Sequence, residues 1–205
     1  MGVDSATRRR SLGEWSPRLF LGGGLLLVGH AAMLAVETFG AVAVPPDVFA
    51  PTGHLLAVLG LVGLAGTAGR RWRRGLRALG FASLAGWTFL TGAQASKLLG
   101  IAPETGPLPD AAALALLALT TLTYGLVAFA GYRAGTYGPV VASLVAAPAG
   151  MLVALVVNGA VFGAPPVGTL LVATGLAVAQ LGLGTALRHR EPTGRRATAP
   201  GAVRG

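Results

Sequence analysis

Six polar side chains stand out inside runs that are largely apolar: His30, Glu37, His54, Gln94, Lys97 and Asn158. Between them they carry the residue types that can hold an ion, pass a proton or bind a polar group. Glu37 and Lys97 are the opposite charges of the first and third runs. Both fall near the far ends of their runs, so they are expected to lie within reach of each other. The bland account is a salt bridge that fixes helix packing, or a lysine stem snorkelling to an interface. The functional account is an ion, proton or polar-group site, because an ionisable residue in hydrocarbon costs about 2.5–3.5 kcal/mol on insertion scales. His54 and Asn158 are expected at the level of Glu37 and Lys97. His30 is expected nearer the middle, seven residues before Glu37 and on roughly the same helix face. Gln94 continues the Lys97 face. The mid-level threonines, Thr88, Thr91, Thr120, Thr121 and Thr123, are expected to bond carbonyls of their own helices, and His30 and Gln180 to satisfy one another or a backbone carbonyl.

Several chemistries are absent. The chain has no cysteine, which removes disulfides, thiolate metal sites and thiol catalysis. No HExxH, GxSxG or P-loop pattern is present. Haem ligation is tested by the histidines. His30 and His54 are expected about ten helical rises apart in depth, and His189 lies beyond the last run, so no pair suits one haem. No cofactor, metal or catalytic residue is assigned.

The elements that position these residues are apolar and long. Of 205 residues, 53% are hydrophobic and 11% charged, with a mean hydropathy of +0.68. Soluble domains carry roughly 25% charged residues. Six runs approach the roughly 20 residues that a transmembrane helix needs: 19–42, 54–69, 76–101, 111–131, 139–162 and 167–187. Prolines punctuate one set of turns, at Pro45-Pro46 with Pro51, at Pro103, Pro107 and Pro109, and at Pro165-Pro166. The runs do not alternate polar and apolar residues as barrel strands do. The expected fold class is therefore all-α, an integral membrane bundle of six transmembrane helices with short loops.

Fifteen arginines fix the expected orientation. Arg8, Arg9, Arg10 and Arg18 precede the first run. Arg70, Arg71, Arg73, Arg74 and Arg77 follow the second, Arg133 the fourth, and Arg188, Arg190, Arg195, Arg196 and Arg204 the sixth. The other gaps carry Asp47, Glu104 and Asp110 instead. Alternating basic gaps are the signature of cytoplasmic loops, which places both termini in the cytoplasm of a multi-pass cell-membrane protein. The net charge of +9 is thereby explained by topology, and nucleic acid is not expected as a partner. The arginine excess and the abundance of Ala, Gly, Val and Leu suggest a GC-rich genome.

Three domains of unequal character are expected: a basic cytoplasmic segment 1–17, a transmembrane domain 18–187, and a disordered basic tail 188–205. Thr7 to Leu12 imitates a twin-arginine export signal and Ala41-Val42-Ala43 a cleavage site. The first run is too long for a signal core of 7–15 residues, so it is read as an uncleaved span. Arg70, Arg71, Trp72, Arg73 and Arg74 are expected to contact anionic lipid headgroups, at about 1 kcal/mol per basic residue, with Trp72 an interfacial anchor. The bilayer and anionic lipid headgroups are the expected partners, together with a homo-oligomer or a membrane protein partner. Gly159 and Gly163 form a GxxxG, which is expected to pack inside the bundle, with a homodimer face as the other reading. A faint likeness of 33–46 to 151–166 is ascribed to a limited residue alphabet. The sequence points to a multi-pass inner-membrane protein and names no activity for it. The classes it leaves open are a small-solute or ion transporter-like bundle, a non-catalytic membrane subunit or scaffold of a larger membrane complex and, less favoured, a lipid-phase enzyme.

Overall fold

The computed structural model describes residues 12–40, 45, 47–101 and 110–189. They form six α-helices: α1 Leu12–Gly40, α2 Phe49–Ala65, α3 Arg73–Leu98, α4 Asp110–Arg133, α5 Pro139–Phe162 and α6 Pro166–Arg188. The all-α expectation is met. Four of the six, α1, α4, α5 and α6, are long and apolar enough to cross a membrane. α2 is too short by this measure and α3 does not qualify. The expected segment 1–11, the tail beyond 189, Glu104 and the prolines at 103, 107 and 109 lie outside the described residues.

Each helix packs on its neighbours in the chain, and α6 closes the ring against α1. α2 also touches α4, which makes it the innermost helix. Its burial agrees, since 11 of its 17 residues are buried. The core holds Phe20, Leu27, Leu61, Leu76, Tyr124, Val127, Val145, Leu152 and Leu183. The outer faces of the other helices present Leu25, Phe81, Phe89, Leu122, Val153, Leu171 and Val178. So much exposed apolar surface is compatible with a membrane protein.

Element boundaries differ from the sequence reading where prolines were taken as stops. Pro17 lies inside α1, which starts at Leu12. There it removes only an early intrahelical bond, and residues 12–17 are helical with the rest of α1. Pro51 lies in the first turn of α2, where a missing N–H has no partner to lose. α2 therefore begins at Phe49 rather than His54, and ends at Ala65 rather than Gly69. Asp47 explains that start. Its Oδ1 accepts hydrogen bonds from the backbone N–H of Phe49 at 2.9 Å and of Ala50 at 3.3 Å, the capping that a helix N-terminus requires. At the other extreme, α5 stops at Gly163, whose φ of +70° suits a residue without Cβ. Ala164 N–H then returns to Asn158 O at 2.9 Å and closes the cap.

The packing register shows that α2 is recessed. A Cβ on Gly24 would meet Leu181, and one on Gly184 would meet Leu21. Both pairs sum to 205, so α6 begins, at Pro166, level with Phe39 near the end of α1. α2 is set differently. Gly53 lies against Gly23 and Leu27, Gly60 against Phe20, and the Phe49 ring against Gly29. Ser16 Oγ donates to Gly60 O at 2.9 Å, on the same register. α2 thus begins ten residues lower along α1 than α6 does, about 15 Å at 1.5 Å per residue. The bundle lacks its innermost helix over that distance.

Candidate functional site

The space above the recessed end of α2 is a cavity of about 250 Å³. Its floor is Asp47, Ala50, Pro51 and His54. Its walls are Leu27 and His30 from α1, Trp87, Leu90 and Gln94 from α3, Leu117 from α4, Leu155 from α5, and Thr169, Val172, Ala173 and Leu176 from α6. All six helices contribute, counting the α1–α2 connection with α2.

The polar groups of the cavity are individually placed. His30 Nδ1 lies 2.6 Å from Asp47 Oδ2, an ion pair when the imidazole is protonated. Asp47 therefore has two duties, since its other oxygen caps α2. His54 is 6% exposed and stacks on Trp87, with ring centroids 4.3 Å apart and planes at 21°. Its Nδ1 is buried without a hydrogen-bond partner. Such an atom costs about 1–3 kcal/mol when it stays unpaired. Trp87 is fixed in turn, as its Nε1 donates to Thr120 Oγ1 at 3.0 Å. Asn158 stands one layer back: its Nδ2 donates to Thr169 Oγ1 at 3.2 Å, and Thr169 lines the cavity. Gly168 is required beside it, because a Cβ there would fall 2.2 Å from Asn158 Oδ1.

Of the six residues singled out in the sequence, His30, His54 and Gln94 line this cavity and Asn158 braces its wall. Glu37 and Lys97 do not line it. The expected Glu37–Lys97 pair is absent: no ion pair joins them, Glu37 is exposed, and α1 and α3 are not packing neighbours. The ring order α1, α2, α3 puts α2 between them. The acidic partner that α1 does have is Asp47, two residues before α2, which lies against His30. His30 and His54 are also not separated as expected. The recess of α2 lowers His54 until both histidines line one space. Among the described residues, no group of three His, Asp or Glu is arranged to hold a metal ion.

Other polar residues are occupied structurally. Thr88, Thr91, Thr120 and Thr123 bond carbonyls four residues back, as the sequence reading expects. Ser83 and Thr123 join α3 to α4 at 3.3 Å. Gln180 does not pair with His30. It donates to the Tyr124 hydroxyl, and both residues are fully buried.

No family model, curated protein or solved structure matches this chain.

The opposite end of the bundle has a different chemistry. Arg70, Arg71, Trp72, Arg73 and Arg74 are exposed in and after the α2–α3 turn. Trp72 meets Phe129 edge-on at 6.2 Å, and Arg133 lies 5.9 Å from the same ring. Arg18 and Arg188 belong to this end by the register of α1 and α6. Sequence reading missed Asp47, Trp87 and Thr169 as cavity residues. For Asp47 a signal existed, since an Asp just before an apolar run with proline in its first turn is a helix start.

Proposed function

We propose that this chain is a multi-pass cell-membrane protein that crosses the bilayer six times, with both termini cytoplasmic. Its outer half binds a small polar group in the manner of a transporter. Support for the orientation comes from the segregation of charge. The described ends that carry Arg18, Arg70 to Arg77, Arg133 and Arg188 all belong to one end of the bundle, and the cavity lies toward the other. Arg70 to Arg74 then meet cytoplasmic headgroups.

The observation that carries the binding reading is the recessed start of α2 beneath a cavity that holds a buried, unpartnered His54 nitrogen. Non-helical backbone at membrane depth is tolerated only where it is buried in protein or lines a cavity. Helices that stop near the midplane are how transporter bundles build sites there. Asp47, His30 and His54 would contact the bound group, Gln94 and Thr169 would orient it, and Trp87 would hold His54.

The test is a thermal-shift screen of the purified chain in mild detergent against sugars, polyols, amino acids and amines. A ligand at about 100 times its Kd stabilises by about 2.7 kcal/mol. At least one class should raise the Tm of the wild type but not of His54→Phe, which keeps the stack on Trp87 and removes the ring nitrogens. The hit should then accumulate in proteoliposomes. If no class stabilises the wild type, or if His54→Phe responds equally, the binding reading fails.

A further inference from the structure

A second space adjoins the cavity. Between the start of α4 and the end of α5 runs a groove of about 570 Å³, walled by Ala113, Leu114, Leu117, Leu155, Val156 and Ala160, with Gly159 at its base. Every one of these residues is apolar. Leu117 and Leu155 also line the polar cavity, so the two spaces share a wall. Gly159 explains the room: a Cβ there would meet nothing within 4 Å. The GxxxG of Gly159 and Gly163 is therefore not a packing contact inside the bundle, contrary to expectation, and Gly163 is likewise open.

We propose that this protein binds an uncharged, hydroxyl-headed lipid, whose head sits against His54 and Gln94 in the cavity and whose hydrocarbon chain lies in the α4–α5 groove. The inference rests on the reading of the cavity as a binding site and names its ligand class. Three features support it. The cavity, at about 250 Å³, is below the usual 300–1,000 Å³ of a site that encloses a whole drug-sized ligand, so it suits a head with its remainder elsewhere. The groove beside it offers an apolar surface facing the hydrocarbon, which a chain can enter without leaving the bilayer.

The third feature is charge. A phosphate or carboxylate head would need a cation, and among the described residues no Lys or Arg lines the cavity. The cavity's imidazole on α1, His30, is already taken by Asp47 at 2.6 Å. Burying an unpaired ion is prohibitive. What remains available is a ring nitrogen of His54 without a partner and the amide of Gln94, which can donate to a hydroxyl or an ester carbonyl and accept from a hydroxyl. The groove thus selects a chain, and the cavity selects a neutral head.

The experiment uses the full chain in phosphatidylcholine nanodiscs and a monoacylglycerol with a diazirine in its acyl chain. After illumination, label is mapped by mass spectrometry. Label should concentrate on the peptides that contain Leu114 to Leu117 and Leu155 to Ala160. It should fall about tenfold in Gly159→Leu, which fills the groove from open space and leaves the fold intact. It should fall similarly in His54→Phe, and in Gln94→Leu as a second cavity variant. Unlabelled monooleoylglycerol should compete, and lysophosphatidylglycerol should not. Equal competition by the anionic lipid would overturn the neutral-head class. Loss of label in Gly159→Leu alone would mean an ordinary bilayer lipid in the groove, and would also overturn the inference. If small polyols still stabilise the wild type through His54 while Gly159→Leu changes nothing, the inference fails and the binding cavity stands. If neither variant alters labelling or ligand-induced stabilisation, both fail.

Discussion

Asp47 is the residue whose removal should most clearly separate two contributions to the site. Its Oδ1 caps α2 through Phe49 and Ala50, and its Oδ2 faces His30. Asp47→Asn keeps an oxygen for the cap and removes the charge. The side chains of His30 and Asp47 are 20% and 27% exposed, which puts the pair near the weaker end of the range for ion pairs, about 1 kcal/mol. Asp47→Ala loses that and the cap as well, a further 0.5–2 kcal/mol or so. The expected costs are therefore about 1 kcal/mol for Asn and about 1.5–3 kcal/mol for Ala. At roughly 2–4 °C per kcal/mol for a chain of this size, Ala should lower the Tm by about 3–12 °C and Asn by about 2–4 °C, measured in mild detergent. A cycle with His30→Gln isolates the pair, since the cost of Asp47→Asn should shrink in that background. Equal damage by Asn and Ala would refute the capping role. No effect from either would refute the idea that Asp47 fixes the recessed start of α2.

Three further outcomes are expected. Gly23→Ala should destabilise by about 1–3 kcal/mol, because its Cβ would fall 2.7 Å from Gly53 O on the facing backbone, whereas Gly92→Ala, which meets open space, should be neutral or slightly stabilising in the same melts. Tyr124→Phe should cost about 1 kcal/mol by stranding the Gln180 amide, while the double change with Gln180→Leu should recover most of it, since Gln180 Oε1 already lacks a partner. Because the chain is free of cysteine, single cysteines report topology directly: an impermeant maleimide on whole cells should label Pro45→Cys, Ile101→Cys and Phe162→Cys but not Gly75→Cys or Ala134→Cys, and the reverse pattern would overturn the orientation.

The number of helices was legible in the sequence because apolar runs and arginine-bearing gaps are local patterns. The helix bounds of α5 and α6 were legible to within a residue, because Pro139 and Pro166 open helices at positions where proline is favoured. The same residue type misled at Pro51. Proline marks a helix start as readily as a stop, and only Asp47 four residues earlier distinguishes the two. That one misreading shifted α2 by five residues at its start and set the wrong depth for His54.

The pairing of charges was not legible, for a reason of a different kind. Depth along a span follows from counting residues, but which helices touch does not. Counting put Glu37 and Lys97 at similar heights, yet α2 stands between α1 and α3 in the ring. It also could not show that Asp47 lies beside His30. The site exists because one helix of the ring begins about 15 Å below its neighbour, and that offset is a property of packing. The glycines at 23 and 53 allow α2 to slide against α1 at backbone contact distance, Asp47 fixes where it stops, and the cavity is the volume that α2 leaves behind. A small-residue crossing and one capping carboxylate thus set the depth of the polar site, while Glu37 and Lys97, the residues that stand out most in the sequence, lie outside it.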